Sequence, residues 1–170
     1  AYLLGDPQES MTGATSLSAI VAAAVPIIEK QRQAGRNHQI AGNERQIGLG
    51  LMHYCQAHQG QFPPDLGALV SAGDITDPKV FLLPGSDAKV PPEIAGGTRE
   101  QQAAWVKDNS EFVLLTPSRN VNDFPSAADV PVLVPKDADQ ATSLVAVAFA
   151  DGHREACKPA RVKKWMHPDG

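Results

Sequence analysis

The chain has 170 residues, of which 42% are hydrophobic and 20% charged, a balance that excludes charge-driven disorder and a polytopic membrane protein. Fifteen Lys and Arg stand against 19 Asp and Glu, and a net charge of -4 has the wrong sign for a phosphate backbone, so nucleic acid is not an expected partner. Gly and Pro, 14 of each, predict one domain with extensive turns around a modest core.

Residues 1–16 mix Gly, Pro, Ser and Thr and read as a polar lead-in. From Leu17 to about His58 helix formers dominate, and apolar residues recur at helical spacing: Ile20, Ala24, Ile27, Ile28 and Ala34, then Ile40, Ile47, Leu51, Tyr54 and Cys55. The pattern predicts a long N-terminal helix over 17–58, roughly 60 Å at 1.5 Å per residue. One domain of this size cannot cover that length, so part of the helix must project or find a partner. Pro26 is expected to kink it, and Gly35 and Gly42 are weak points. Its most apolar run, 19–28, is far short of the roughly 20 residues a membrane span needs. Because the chain begins at Ala1, membrane contact is expected only through a segment not present in it.

The stretch from Gly60 to Pro64 ends the helix, and residues 59–170 are expected to form a globular head that shares one core with it. A short helix over 65–72 closes on Gly73, and a loop follows with Asp77-Pro78 and Pro84-Gly85. Thr98 and Gln101 form a capping-box pattern for a helix to about Lys107, with Trp105 on its buried side. Strand signals follow at 112–115, 130–134, 144–149 and 154–157, the last two joined by an Asp151-Gly152 turn. Lys158, Arg161, Lys163 and Lys164 read as the solvated face of a terminal helix. The fold class is therefore α+β, a long N-terminal helix packed on a small antiparallel sheet.

Cys55 and Cys157 make either one disulfide, which would tie the helix to the C-terminal region and imply an oxidising compartment, or two free thiols. His53 and His58 lie five apart, on different helix faces, without zinc-ligand spacing. Asp151, His153 and Glu155 alternate across the turn and would offer ligands to Ca²⁺ if Asp137 or Asp139 came near, but no loop of calcium-binding spacing is present. No other cofactor is expected. With no exposed-serine elbow and no phosphate loop, no residue is singled out as catalytic and the chain is not expected to be an enzyme.

Three stretches taken together carry more information: Asn43-Glu44-Arg45-Gln46-Ile47-Gly48-Leu49, then Met52-His53-Tyr54, then Gly60-Gln61-Phe62-Pro63-Pro64. With Pro78 to Leu82 and Phe149-Ala150-Asp151-Gly152-His153, their order and spacing resemble the type II secretion pseudopilin and prepilin-like family, over about residues 19 to 156. The resemblance implies a lollipop-shaped pilin-like fold. It implies a structural subunit of an extracellular filament or type II secretion-type assembly in the bacterial cell envelope, exported and non-catalytic. Partners would be copies of itself or other pilin-like subunits, and Ile20, Ala24, Ile27 and Ile28 would lie in the helix interface. Asn43, Arg45, Gln46, Ile47, Gly48, Tyr54, Phe62, Pro63, Pro64, Phe149, Asp151, Gly152 and His153 carry the family motifs. Where the family has an unbroken apolar segment, residues 5–16 are polar and only 19–28 is similar to its end; the family's cysteine positions hold Ile40 and Leu83, so its disulfide does not transfer. The alternative is a secreted or surface protein-binding module that keeps the fold without polymerising.

Overall fold

In the computed structural model the described residues are 12–170, with side chains described from residue 21. The chain divides into two compact units, Ala1–His38 and Gln39–Gly170.

The N-terminal helix, α1, spans Thr12–Ala57 and runs unbroken through Pro26, Gly35 and Gly42. It begins five residues before Leu17, so 12–16 belong to the helix and not to the lead-in. The remainder of the lead-in, 1–11, lies outside the described residues. Within the first unit no described side chain is buried.

In the second unit, α1 supplies a buried stripe, Glu44, Ile47, Leu51 and Cys55, at steps of three and four, the spacing that brings side chains to one helix face. After the Phe62-Pro63-Pro64 segment, α2 (Gly67–Ala72) ends on Gly73, whose φ of 83° is the left-handed conformation that a glycine adopts without cost. A short α3 (Pro92–Ala95) precedes α4 (Arg99–Asn109). The capping box holds in both directions: Gln101 N–H donates to Thr98 Oγ1, and Thr98 N–H to Gln101 Oε1. The buried face of α4 is Ala103 and Val106, while Trp105 is half-buried. Gly67 allows α2 to lie directly against the Ala103 carbonyl, where a β-carbon would overlap it.

Four strands, β1 (Phe112–Leu114), β2 (Pro131–Pro135), β3 (Val145–Phe149) and β4 (Arg154–Cys157), make one antiparallel sheet in the order β1-β2-β3-β4. Each expected strand is present, shifted at its ends by a residue at most. Alternation sorts the side chains: Phe112, Leu133 and Ala148 join the cluster with Ile47, Leu51 and Phe62, whereas Val134, Val145, Val147 and Phe149 join a second one. A register shift between Pro131 and Leu133 lets the adjacent Val132 and Leu133 enter the same cluster. The second cluster is closed by α5 (Pro159–Met166), which buries Val162 and packs Trp165 and Met166 beside it. The fold is α+β, and the sheet is covered by α1 and its neighbours on one face and by α5 on the other.

Cys55 and Cys157 are both buried free thiols. Of the two alternatives the sequence leaves open, the structure has the free thiols, because the sheet separates them: Cys55 belongs to the first cluster, and Cys157, paired with Val145, to the second. Burial pushes the Cys55 thiol up to about 11. Burial and the Glu155 carboxylate raise that of Cys157. Neither has a thiolate to offer at neutral pH.

Candidate functional site

The motif residues converge on the second half of α1 and the β3–β4 hairpin. Ile47 is buried against the sheet, and Asn43 Nδ2 donates to the Leu82 carbonyl at 3.1 Å, fixing the 78–83 segment to the helix. Arg45 and Gln46 face outward, and Gly48 is half-buried with nothing within 4 Å of where a β-carbon would stand. Tyr54 stacks on His58 with ring centroids 3.8 Å apart, and the His58 ring returns a hydrogen bond to the Tyr54 carbonyl. Beyond the helix, Phe62 and Pro63 are buried and Pro64 is exposed. Phe62 N–H donates to Arg119 O at 2.8 Å, and Pro63 O accepts from Ser118 N–H at 3.1 Å.

At the hairpin tip Gly152 has φ 90°, and its open side is filled by Met52 of α1. His153 stacks on the buried Phe149 at 4.5 Å and donates through its ring Nδ1 and backbone N–H to Asp151 Oδ1. Partial burial works against ionisation of Asp151, but the His153 N–H and ring outweigh it and hold the carboxyl below its usual range. The carboxylates read as calcium ligands are engaged separately. Asp151 is held by His153, Glu155 by Arg161 at 3.2 Å, and Asp139 by His167 at 3.4 Å. No group of three His, Cys, Asp or Glu side chains with a metal-binding arrangement occurs among the described residues.

Two features escaped the sequence reading. Glu44 is fully buried, with 0% exposure, and neither carboxyl oxygen has a hydrogen-bond partner among the described residues. Burial pushes it up to about 8 from an ordinary 4.5, against the opposing pull of the Arg154 guanidinium. Arg154 Nη1, from β4, donates to the Ala41 carbonyl one turn earlier on α1. The signal for Glu44 was its place between Ile40 and Ile47 on the apolar stripe. The second feature is an open groove of about 820 Å³ beside α1, lined by Asn43, Gln46, His53, Asp74 and Lys79 among others. There His53 donates to Asp74 at 2.6 Å.

No family model, curated protein or solved structure matches this chain.

Of the expected interface residues, Ile27 and Ile28 are exposed and Ala24 is half-exposed, while the side chain of Ile20 lies outside the described residues. Val21, at 62% exposure, and Val25, at 59%, join Ile27 at 58% and Ile28 at 47%. Positions 21, 24, 25 and 28 share one helix face. No described helix is long and apolar enough to cross a membrane.

Proposed function

We propose that this chain is a structural, non-catalytic, pilin-like or pseudopilin-like subunit of an extracellular filament or type II secretion-type assembly in the bacterial cell envelope. The carrying observation is the concentration of exposed Val and Ile on α1 between Val21 and Ile28. Scattered surface apolar residues need no explanation, but a helix face with Val21, Ala24, Val25 and Ile28 close together, and Ile27 beside it, calls for a covering partner. Covering each stabilises an assembly by roughly 1.5 to 3 kcal/mol, less the cost of association. The α+β architecture and the order of the motif residues along it support the same reading.

The second reading, a surface module that binds another protein without polymerising, draws on the open groove lined by Asn43, Gln46, His53 and Lys79. Sedimentation and negative-stain electron microscopy of the purified chain, alone and with candidate pilin-like subunits, separate the two. Helical polymers or stoichiometric co-assembly lost in a Val25→Glu/Ile28→Glu variant are expected. A chain that stays monomeric with every such subunit sinks the assembly reading and turns attention to the groove.

A further inference from the structure

The carboxyl group of Glu44 stands on the apolar stripe of α1, and its environment says how it is tolerated. It stands on the core face of α1 between Ile40 and Ile47, fully buried, with both oxygens unpartnered among the described residues. A buried carboxylate in that condition would be strongly destabilising, so at neutral pH the group carries its proton. The charged group that acts on it comes from the hairpin: Arg154 on β4. The helix-facing side of the sheet otherwise presents Phe112, Leu114, Leu133 and Ala148, and the 78–83 segment presents Phe81 and Leu83, with Lys79 on the open groove. On α1 itself, Arg45 is exposed.

Arg154 meanwhile donates to Ala41 O. A carbonyl inside a helix already accepts its own helix bond, so the guanidinium occupies a spare lone pair and can leave at small cost. Ala41 and Glu44 are three residues apart, neighbours along one helix face. A guanidinium with five donors on a flexible stem can be offered to either acceptor. The carboxylate, once formed, is by far the stronger of the two.

We propose that Glu44 and Arg154 are the two halves of a proton-operated latch between α1 and the β3–β4 hairpin. With Glu44 protonated, Arg154 holds the Ala41 carbonyl. When Glu44 loses its proton to solvent, Arg154 moves along the helix to the carboxylate and draws the hairpin with it, altering the seat of Gly152 against Met52. The latch stands whether or not the chain assembles.

The test is an NMR titration of the full chain from pH 4 to 9.5 that follows Glu44 Cδ, the Arg154 side-chain N–H signals and Ala41 C′, in wild type, Glu44→Gln and Arg154→Lys. In wild type all three signals are expected to move together with one midpoint above pH 7. In Glu44→Gln the Arg154 and Ala41 signals stay at their low-pH positions throughout, and Arg154→Lys raises the Glu44 midpoint. A Glu44 midpoint below pH 5.5 overturns the proposal, as does a high midpoint with Arg154 and Ala41 unmoved. Unfolding of wild type through the same midpoint while Glu44→Gln stays folded also overturns it, because the ionised carboxylate would then have found no partner.

Discussion

Glu44 contributes a pH dependence of stability of its own, before any movement of Arg154. Its folded value of about 8 lies above the ordinary 4.5 of an unfolded chain, so between these limits the folded state retains a proton that the unfolded state has lost. The stabilisation is complete below about pH 4.5 and is lost as pH rises toward 8, at up to about 1.4 kcal/mol per pH unit, or about 3 kcal/mol by pH 7. Glu44→Gln keeps the shape of the protonated acid and cannot ionise. Urea unfolding at pH 5, 6, 7 and 8 should show wild type falling steadily relative to Glu44→Gln, with the variant the more stable at pH 8. Parallel curves would mean that the carboxylate ionises at its ordinary value. A second residue-scale test concerns Gly152, which combines a left-handed φ with close contact to Met52 Sδ. Gly152→Ala should cost about 1 to 2 kcal/mol for the backbone alone, and more for displacing Met52. Met52→Ala should remove that second part, so the double variant is expected to be more stable than the sum of the single effects; additivity would show that Met52 yields freely.

At the scale of elements, α1 carries glycines of two kinds. Gly42 and Gly48 have nothing within 4 Å of a built β-carbon, whereas at Gly50 the Ile75 side chain stands 3.2 Å away. In a helix interior Gly is about 1 kcal/mol worse than Ala. Gly42→Ala and Gly48→Ala should therefore each raise the unfolding free energy by about 0.5 to 1 kcal/mol, with Gly50→Ala gaining less or losing, as thermal denaturation would show. Equal gains at all three would mean that Ile75 adapts without cost. Elements of this kind were legible because their signals are local: the Thr98 and Gln101 capping pair, Gly73 after α2, and the Asp151-Gly152 turn between alternating strands. What was not legible depends on residues far apart in sequence. Cys55 and Cys157 look like a pair until the sheet is placed, and alternation then puts them on opposite faces. The four basic residues near the C-terminus suggested a solvated helix but not that its other face, Val162 with Trp165 and Met166, closes a second core. Among the candidate site residues, those whose role is packing, Ile47, Phe62 and Phe149, lie in the core as their hydrophobicity demands. Glu44 broke the pattern on the helix stripe, and only the third dimension reveals that its carboxyl has no hydrogen-bond partner among the described residues.

For the molecule as a whole, the two halves of α1 should differ in how firmly they are held. Between Gln39 and Ala57 the helix buries Glu44, Ile47, Leu51 and Cys55 in a shared core, so its backbone hydrogen bonds can open only with that core. Between Val21 and His38 no described side chain is buried, and the segment includes Pro26 and Gly35, both poor helix residues. A helical segment of this length without tertiary burial is marginal in water. Amide hydrogen exchange on a dilute sample should show residues 21–38 exchanging within minutes at neutral pH while 44–55 stay protected for hours. Covering Val21, Val25, Ile27 and Ile28 with a neighbour would couple that stretch to a packed interface, so its protection should rise with concentration or with added pilin-like subunits. Protection at 44–55 should not change. Val25→Glu/Ile28→Glu should abolish the gain and leave the unfolding of the Gln39–Gly170 unit intact. If material that sediments as an assembly leaves 21–38 exchanging as fast as the monomer does, subunits associate through some other surface, and the exposed aliphatic face of α1 is not what holds them.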